Sequence, residues 1–257
     1  ARLMYLDTCA QVHKDARTVN SPTRLSKFQK VRTMLISLCI DAPVAHNMFD
    51  AALRKDKENA LGHYGKGLVL YEEGKKAAAL EALRQALELR PLDPDILRDL
   101  GKVYFAMGDY TKAVNALKNA LAIRSDDAEG RFLLGRAYMQ TGNLETARTT
   151  LEELIDEKSS YLPARYHLGE VFGKLGNLRE AHYHLGLYYE EKGARETAIF
   201  HLRRAKNLSE NAARREEIQR VLSGLSGGEN KAVERKMHSA PPLKGLFNPL
   251  NRVRQGD

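Results

Sequence analysis

Small residues recur along the chain at one long interval. Two columns of glycine and one of alanine each repeat every 34 residues: Gly67, Gly101, Gly135 and Gly169; Gly74, Gly108, Gly142 and Gly176; and Ala79, Ala113, Ala147 and Ala181. Between them, apolar residues follow the three- and four-residue spacings typical of amphipathic helices. The pattern predicts repeated pairs of antiparallel helices, in which the small residues let two backbones approach and the turn glycines adopt positive φ.

The residue types in these columns resemble those of the tetratricopeptide-repeat (TPR) family. One repeat carries, in the family's order, Leu97, Leu100, Gly101, Tyr104, Gly108, Ala113, Leu117 and Ala120, and Pro91 closes the repeat before it. The similarity covers roughly residues 60–208. It implies an all-α fold, a right-handed superhelical solenoid of antiparallel helix pairs, and a function in protein binding. With the flanking segments we expect about twelve to fourteen helices.

The period continues weakly upstream of the array. Ala45 lies 34 residues before Ala79, and Thr33 takes the place of the glycine in the first helix of the pair. We therefore expect an N-terminal helix or connector over residues 1–22, a degenerate repeat over residues 23–57 and the repeat array over residues 58–208.

Downstream, the interval halves. The pair Leu185-Gly186 comes 17 residues after Leu168-Gly169, and Ala198 follows Ala181 by the same distance. One helix over residues 178–191 is therefore predicted to serve as the second helix of one repeat and the first helix of the next. A helix at 195–207 should pack on it, followed by a capping helix over residues 209–224 and a flexible tail over residues 225–257.

Two stretches carry a narrower resemblance. The segment HYHLGLYYEEKG with the following AIFHL, and the segment YGKGLVLYEEGKKAAALEAL that begins at Tyr64, are similar to the C-terminal TPR region of bacterial periplasmic zinc metallopeptidases of the HExxH type. This resemblance implies a periplasmic location and a part in the quality control of outer-membrane proteins. No HExxH occurs here, so no zinc ligand or catalytic residue is carried over. The alternative is a stand-alone adaptor, periplasmic or cytoplasmic, that holds a folded partner.

The sequence offers no arrangement for catalysis, a cofactor or a metal. His182 and His184 are two residues apart on one predicted helix and point in different directions, whereas zinc-binding helices use a four-residue spacing. His167 and His201 fall on the flanking helices, so a mixed histidine cluster is conceivable. We expect no peptidase activity and no stoichiometric zinc from this chain.

The predicted binding site is the concave face formed by the first helix of each pair. In the TPR family this face uses the second, fifth, ninth and twelfth repeat positions, and aromatic and arginine side chains dominate recognition surfaces. The resemblance selects Tyr64, Leu68, Tyr71, Arg98, Lys102, Phe105, Phe132, Arg136, Met139, Tyr166 and Glu170. We expect them to line one groove for extended or partly unfolded polypeptides, either a client protein or the chain's own catalytic domain. The alternative for each aromatic residue is a place in the core.

Composition and charge limit the remaining functional classes. Apolar residues make up 43% and charged residues 29% of the chain, and no apolar run reaches the roughly 18 residues of a membrane span. The net charge of +8 is concentrated towards the two ends, so a nucleic-acid binder is the weakest of the hypotheses. Cys9 and Cys39 could pair or remain thiols, and the oligomeric state stays open. Because the sequence starts at Ala1 without a hydrophobic signal core, we expect a mature product or a piece of a longer protein.

Overall fold

The computed structural model describes Thr33 and residues 40–226, whose regular secondary structure is helical with no strand among them. Within residues 40–226, eleven helices follow one another: α1 (Ala42–Lys55), α2 (Ala60–Glu72), α3 (Lys76–Leu89), α4 (Pro94–Ala106), α5 (Tyr110–Ile123), α6 (Ala128–Gln140), α7 (Leu144–Glu157), α8 (Leu162–Lys174), α9 (Leu178–Glu191), α10 (Arg195–Leu208) and α11 (Ala212–Ser226). They fall into two compact units, the first ending at Leu133 and the second beginning at Leu134, so the division lies inside α6. The all-helical prediction is confirmed for the described residues.

Glycines end the first helix of each pair, as the spacing predicts. Their φ angles lie between 71° and 83°, a region that favours glycine because other residues carry a Cβ: Gly74, Gly108, Gly142, Gly176 and Gly193. The residue after the glycine often caps the next helix, as where Asp109 accepts a hydrogen bond from the Lys112 amide. Asn143 begins α7 without capping it, since its side-chain amide donates instead to Thr141 Oγ1.

In unit 1, the glycine of each first helix faces a leucine of the second helix. A Cβ on Gly67 would lie 2.8 Å from Leu83, and one on Gly101 would lie 2.6 Å from Leu117. Both leucines are fully buried. The glycine column therefore exists because only a residue without a side chain lets the pair close over these leucines.

In unit 2 the same contact occurs three times, and α9 takes part in two of them. Gly135 faces Leu151, Gly169 faces Leu185 and Gly186 faces Leu202, each with less than 3.0 Å available for an added Cβ. Leu185 of α9 packs against the glycine of α8, so α9 is the second helix of that pair. Its neighbour Gly186 packs against the leucine of α10, so α9 is also the first helix of the next pair. The helix has the predicted bounds 178–191, and α9 packs in both roles.

The upstream segment is described only in part. Thr33 is helical and buried, and α1 buries Ala45 and Phe49, which pack with Val69 of α2. Residues 1–22, the tail after residue 226, Cys9 and Cys39 lie outside the described residues, as do the additional helices that the sequence predicts. Among the helices that are described, none has both the length and the apolar composition needed to cross a bilayer.

Candidate functional site

Three first helices of unit 1 are joined by one exposed cation. The Lys102 ammonium of α4 lies 5.3 Å from the centre of the Tyr71 ring of α2 and 3.6 Å from Glu129 Oε1 of α6. Tyr71 is half-buried against the unit 1 core, and about a third of the Lys102 side chain is exposed. The cation–π contact and the ion pair therefore fix aromatic and charged groups side by side at the surface.

Further side chains extend this surface along the same helices. Leu68 precedes Tyr71 by three residues, Phe105 follows Lys102 by three and Phe132 follows Glu129 by three, so each pair shares a helix face. All three added residues are half-buried, and the Phe105 ring stands edge-on to Tyr110 at 5.3 Å. We call this set, Leu68, Tyr71, Lys102, Phe105, Glu129 and Phe132, the first-helix face of unit 1.

Arg98 lies beneath that face in a buried ion cluster. Its guanidinium donates to Asp95 and Asp99 at 3.1 Å and to Asp127 at 3.3 Å. Arg124 also donates to Asp95 and Asp127. The cluster joins α4 to the residue that caps α6, because Asp127 accepts from the Gly130 amide. Charges that are paired and hydrogen-bonded in this way tie neighbouring repeats together.

Tyr64 belongs to the same cluster and is fully buried. Its hydroxyl donates a 2.6 Å hydrogen bond to Asp99 Oδ2. Burial and the adjacent Asp99 carboxylate raise the pKa of Tyr64. Burial also raises the pKa of Asp99, while Arg98 and the Tyr64 hydroxyl act in the opposite direction.

Three of the predicted groove residues are therefore corrected to core residues. Tyr64 is 0%, Met139 6% and Arg98 7% exposed. The family's positions mark the face by helix geometry alone, but Tyr64 and Arg98 are drawn inward by the Asp99 carboxylate that both hydrogen-bond. These side chains support the surface from beneath and do not contribute contact area for a ligand.

In unit 2, half-buried aromatic groups form a different cluster. The Tyr166 ring of α8 lies 5.2 Å from Tyr188 of α9, and Tyr188 lies 5.1 Å from Tyr189. The Lys192 ammonium lies 6.0 Å from the Tyr188 ring, and Arg165 pairs with Glu191 at 3.1 Å. Burial, followed by the nearby Glu170 carboxylate, raises the pKa of Tyr166. We call Tyr166, Tyr188 and Tyr189 the tyrosine cluster.

Sequence reasoning selected only one member of this cluster. Tyr188 and Tyr189 are adjacent tyrosines on the shared helix, but they fall outside the four repeat positions that form the concave face in the family. The remaining predicted residues of unit 2 are half-buried: Arg136, and Glu170, whose carboxylate accepts a 2.6 Å hydrogen bond from His167 Nδ1.

Three histidines lie under the tyrosine cluster and beside it. His182 Nδ1 and His201 Nδ1 are 2.9 Å apart, so one ring donates to the other, and Tyr189 stacks on His201. Burial lowers the pKa of each of His182, His184 and His201 to about 4. Among the residues that the structure describes, no group of three histidine, cysteine or carboxylate side chains could hold a metal ion.

Comparison with known families identifies tetratricopeptide repeats in three segments. A tetratricopeptide-repeat family model matches residues 104–160, a TPR-repeat model matches residues 67–108, and another tetratricopeptide-repeat model matches residues 180–211. The chain therefore contains TPR repeats, as the columns predict. The third match covers α9 and α10, the pair in which α9 is the first helix.

Solved structures share the fold at low sequence identity. A crystal structure of MamA has a TM-score of 0.56 at 24% identity and covers 60% of this chain and 92% of its own. A MamA fragment from Desulfovibrio magneticus RS-1 has a TM-score of 0.58 at 21% identity, covering 65% and 96%. PilW, a widely conserved type IV pilus biogenesis factor, has a TM-score of 0.60 at 17% identity, covering 82% of this chain and 97% of its own. These likenesses show the TPR solenoid fold. No curated protein sequence matches the chain.

Proposed function

We propose that this chain is a non-catalytic protein-interaction scaffold that binds extended or partly unfolded polypeptides through its first helices. The observation that carries the proposal is the first-helix face of unit 1, where contacts between repeats hold Tyr71 and Lys102 and a ring contact within the repeat holds Phe105. The TPR fold supports it because stacked helix pairs present such faces in series.

The chemistry of this face suits segments of varied sequence. Aromatic rings supply apolar contact area with few rotamers to freeze, and Lys102 and Glu129 can pair with side chains of either sign. The side chains are held in place before a ligand arrives, which lowers the entropic cost of binding. Affinity should still be modest, because ordering a flexible ligand consumes much of the gross interaction energy.

A double substitution tests the face directly. Lys102→Ala with Phe105→Ala should weaken the binding of a rhodamine-labelled 20-residue peptide, taken from a strand of an outer-membrane β-barrel, by tenfold or more, about 1.4 kcal/mol. Fluorescence anisotropy measures the affinity, and thermal denaturation checks the fold.

The matched control removes a cation and an apolar side chain from α5 of the same repeat. Lys118→Ala with Ile123→Ala deletes an exposed cation and an exposed aliphatic group there. This variant should bind within about twofold of the wild type. Equal affinities for both double variants, with unchanged melting curves, would move the site away from the first helices.

The cellular context that we propose is the TPR region of a periplasmic zinc metallopeptidase acting on outer-membrane proteins. It is supported by the resemblance of the stretches at 64–83 and 182–202. The polypeptide on the first-helix face would then be a substrate of that enzyme or its catalytic domain. A stand-alone adaptor, in the periplasm or the cytoplasm, is the competing context.

The native protein distinguishes these contexts. It would be isolated from its source after osmotic shock, and its complete polypeptide would be mapped by mass spectrometry and assayed for zinc. An HExxH domain joined to this chain, with one zinc per polypeptide in the periplasmic fraction, supports the metallopeptidase context. A native polypeptide without that motif would establish the adaptor instead.

A further inference from the structure

A basic cavity lies between α10 and α11, on helices that carry none of the groups described above as binding surface. Its volume is about 350 Å³, and its lining is Phe200, Arg203, Arg204, Lys206, Asn207, Gln219 and Leu222. The spacings of Phe200, Arg203, Arg204 and Asn207 place them on one face of α10. The cavity is at the lower end of the roughly 300–1,000 Å³ range of ligand pockets.

The lining carries charge of one sign. Arg203, Arg204 and Lys206 contribute three cations, and no acidic residue is among the lining residues that the structure describes. The Lys206 ammonium donates a 2.8 Å hydrogen bond to Gln219 Oε1, which links α10 to α11 across the cavity. A concentration of positive charge in a concave site attracts anions more strongly than the same charges spread over a convex surface.

The cavity also has an apolar side. Phe200 is half-buried and Leu222 is almost fully buried. A small inorganic anion would pair with the cations but leave the apolar side of the cavity in contact with water. A ligand that joins a carboxylate to an apolar group uses both sides of the lining.

We propose that this cavity is a second polypeptide-binding site, which takes an acidic side chain of a partner protein together with an apolar neighbour. Its guanidinium groups suit carboxylates because they can donate paired hydrogen bonds. The site is separate from the first-helix face and stands without it.

The experiment uses the complete chain and a rhodamine-labelled hexapeptide of five glutamates and one phenylalanine. The control peptide has glutamine in place of every glutamate. We expect the acidic peptide to bind and the neutral peptide to bind at least tenfold more weakly, as measured by fluorescence anisotropy. Arg203→Ala with Arg204→Ala should weaken the binding of the acidic peptide at least tenfold.

A second variant separates binding from folding. Gln219→Glu is nearly isosteric, keeps a partner for Lys206 and places a carboxylate among the cations, so the acidic peptide should again bind at least tenfold more weakly with an unchanged melting curve. Gln140→Glu makes the same change at an exposed position of unit 2 and should leave the affinity unaltered.

Three results would overturn the proposal. The first is equal affinity of the acidic and neutral peptides. The second is unchanged binding in both the arginine double variant and Gln219→Glu. The third is displacement of the peptide by inorganic phosphate, or by a single-stranded oligonucleotide, at concentrations below those of unlabelled acidic peptide, which would assign the cavity to phosphate groups.

Discussion

The Tyr64 hydroxyl is a polar group enclosed by the core of unit 1. It donates to Asp99, which also accepts from the Arg98 guanidinium. Removing a donor from a buried carboxylate leaves part of its charge without a partner. Tyr64→Phe should therefore lower the free energy of unfolding by about 1–3 kcal/mol, as measured by urea denaturation.

Tyr104→Phe is the matched comparison. It deletes a hydroxyl that accepts a 3.0 Å hydrogen bond from Arg84 at the surface. The change should stay within about 0.5 kcal/mol, because water replaces the lost partner. Equal effects of the two substitutions would mean that the buried cluster does not depend on the Tyr64 hydroxyl.

The His182–His201 pair makes a prediction about pH. The folded state lowers the pKa of both rings from 6.5 to about 4, so between those values the unfolded chain binds protons that the folded chain does not. The free energy of unfolding should therefore fall as pH falls from about 6.5 towards 4. His182→Gln with His201→Gln should flatten that slope and leave only the part due to His184 and the carboxylates.

Denaturation at pH 8 provides the reference for this pair. There the rings are neutral in both the folded and the unfolded chain, so the difference between wild type and variant reports packing alone. A double variant whose stability falls with pH as steeply as that of the wild type would show that the pair does not couple folding to protonation.

At the scale of helices, α9 carries the most specific prediction. A Cβ on Gly186 would lie 2.7 Å from the Leu202 side chain and 3.2 Å from its backbone nitrogen, whereas a Cβ on Gly224 in α11 meets nothing within 4 Å. Gly186→Ala should destabilise the chain by about 1–3 kcal/mol through overpacking. Gly224→Ala should stabilise it by about 0.5–1 kcal/mol, because alanine restricts the unfolded chain. If both substitutions stabilise the protein, α9 does not act as a first helix.

The helices were predictable because the signals that define them are local. The glycine and alanine columns fix the turns and close contacts, and the half-interval at Gly186 gives the bounds of α9. The surface was less predictable, because it depends on partners distant in sequence. Tyr64 is buried by Asp99, 35 residues away, and Tyr188 meets Tyr166 of the preceding helix. Repeat positions alone cannot distinguish an aromatic residue on the face from one beneath it.

At the scale of the whole molecule, the net charge of +8 raises the question of nucleic acid. A protein that neutralises 6–10 phosphates loses about 10³–10⁵ in affinity between 50 and 200 mM salt. Binding through the first-helix face of unit 1 relies on aromatic contact and about one ion pair. The affinity for the β-strand peptide should therefore change by less than about tenfold over that range. A loss of several orders of magnitude would show that electrostatic attraction dominates binding.

Site-specific photo-crosslinking tests the central claim most directly. The photoreactive residue p-benzoylphenylalanine would replace Phe105 or Tyr166 on the first helices and, as controls, Ile123 or Leu89, which are 45% and 39% exposed on the second helices α5 and α3. Irradiation with the β-strand peptide should give crosslinks from Phe105 and Tyr166 and few from the controls, since the polypeptide is proposed to lie on the first helices. Stronger crosslinking from Ile123 and Leu89 than from Phe105 and Tyr166 would contradict the proposed binding mode.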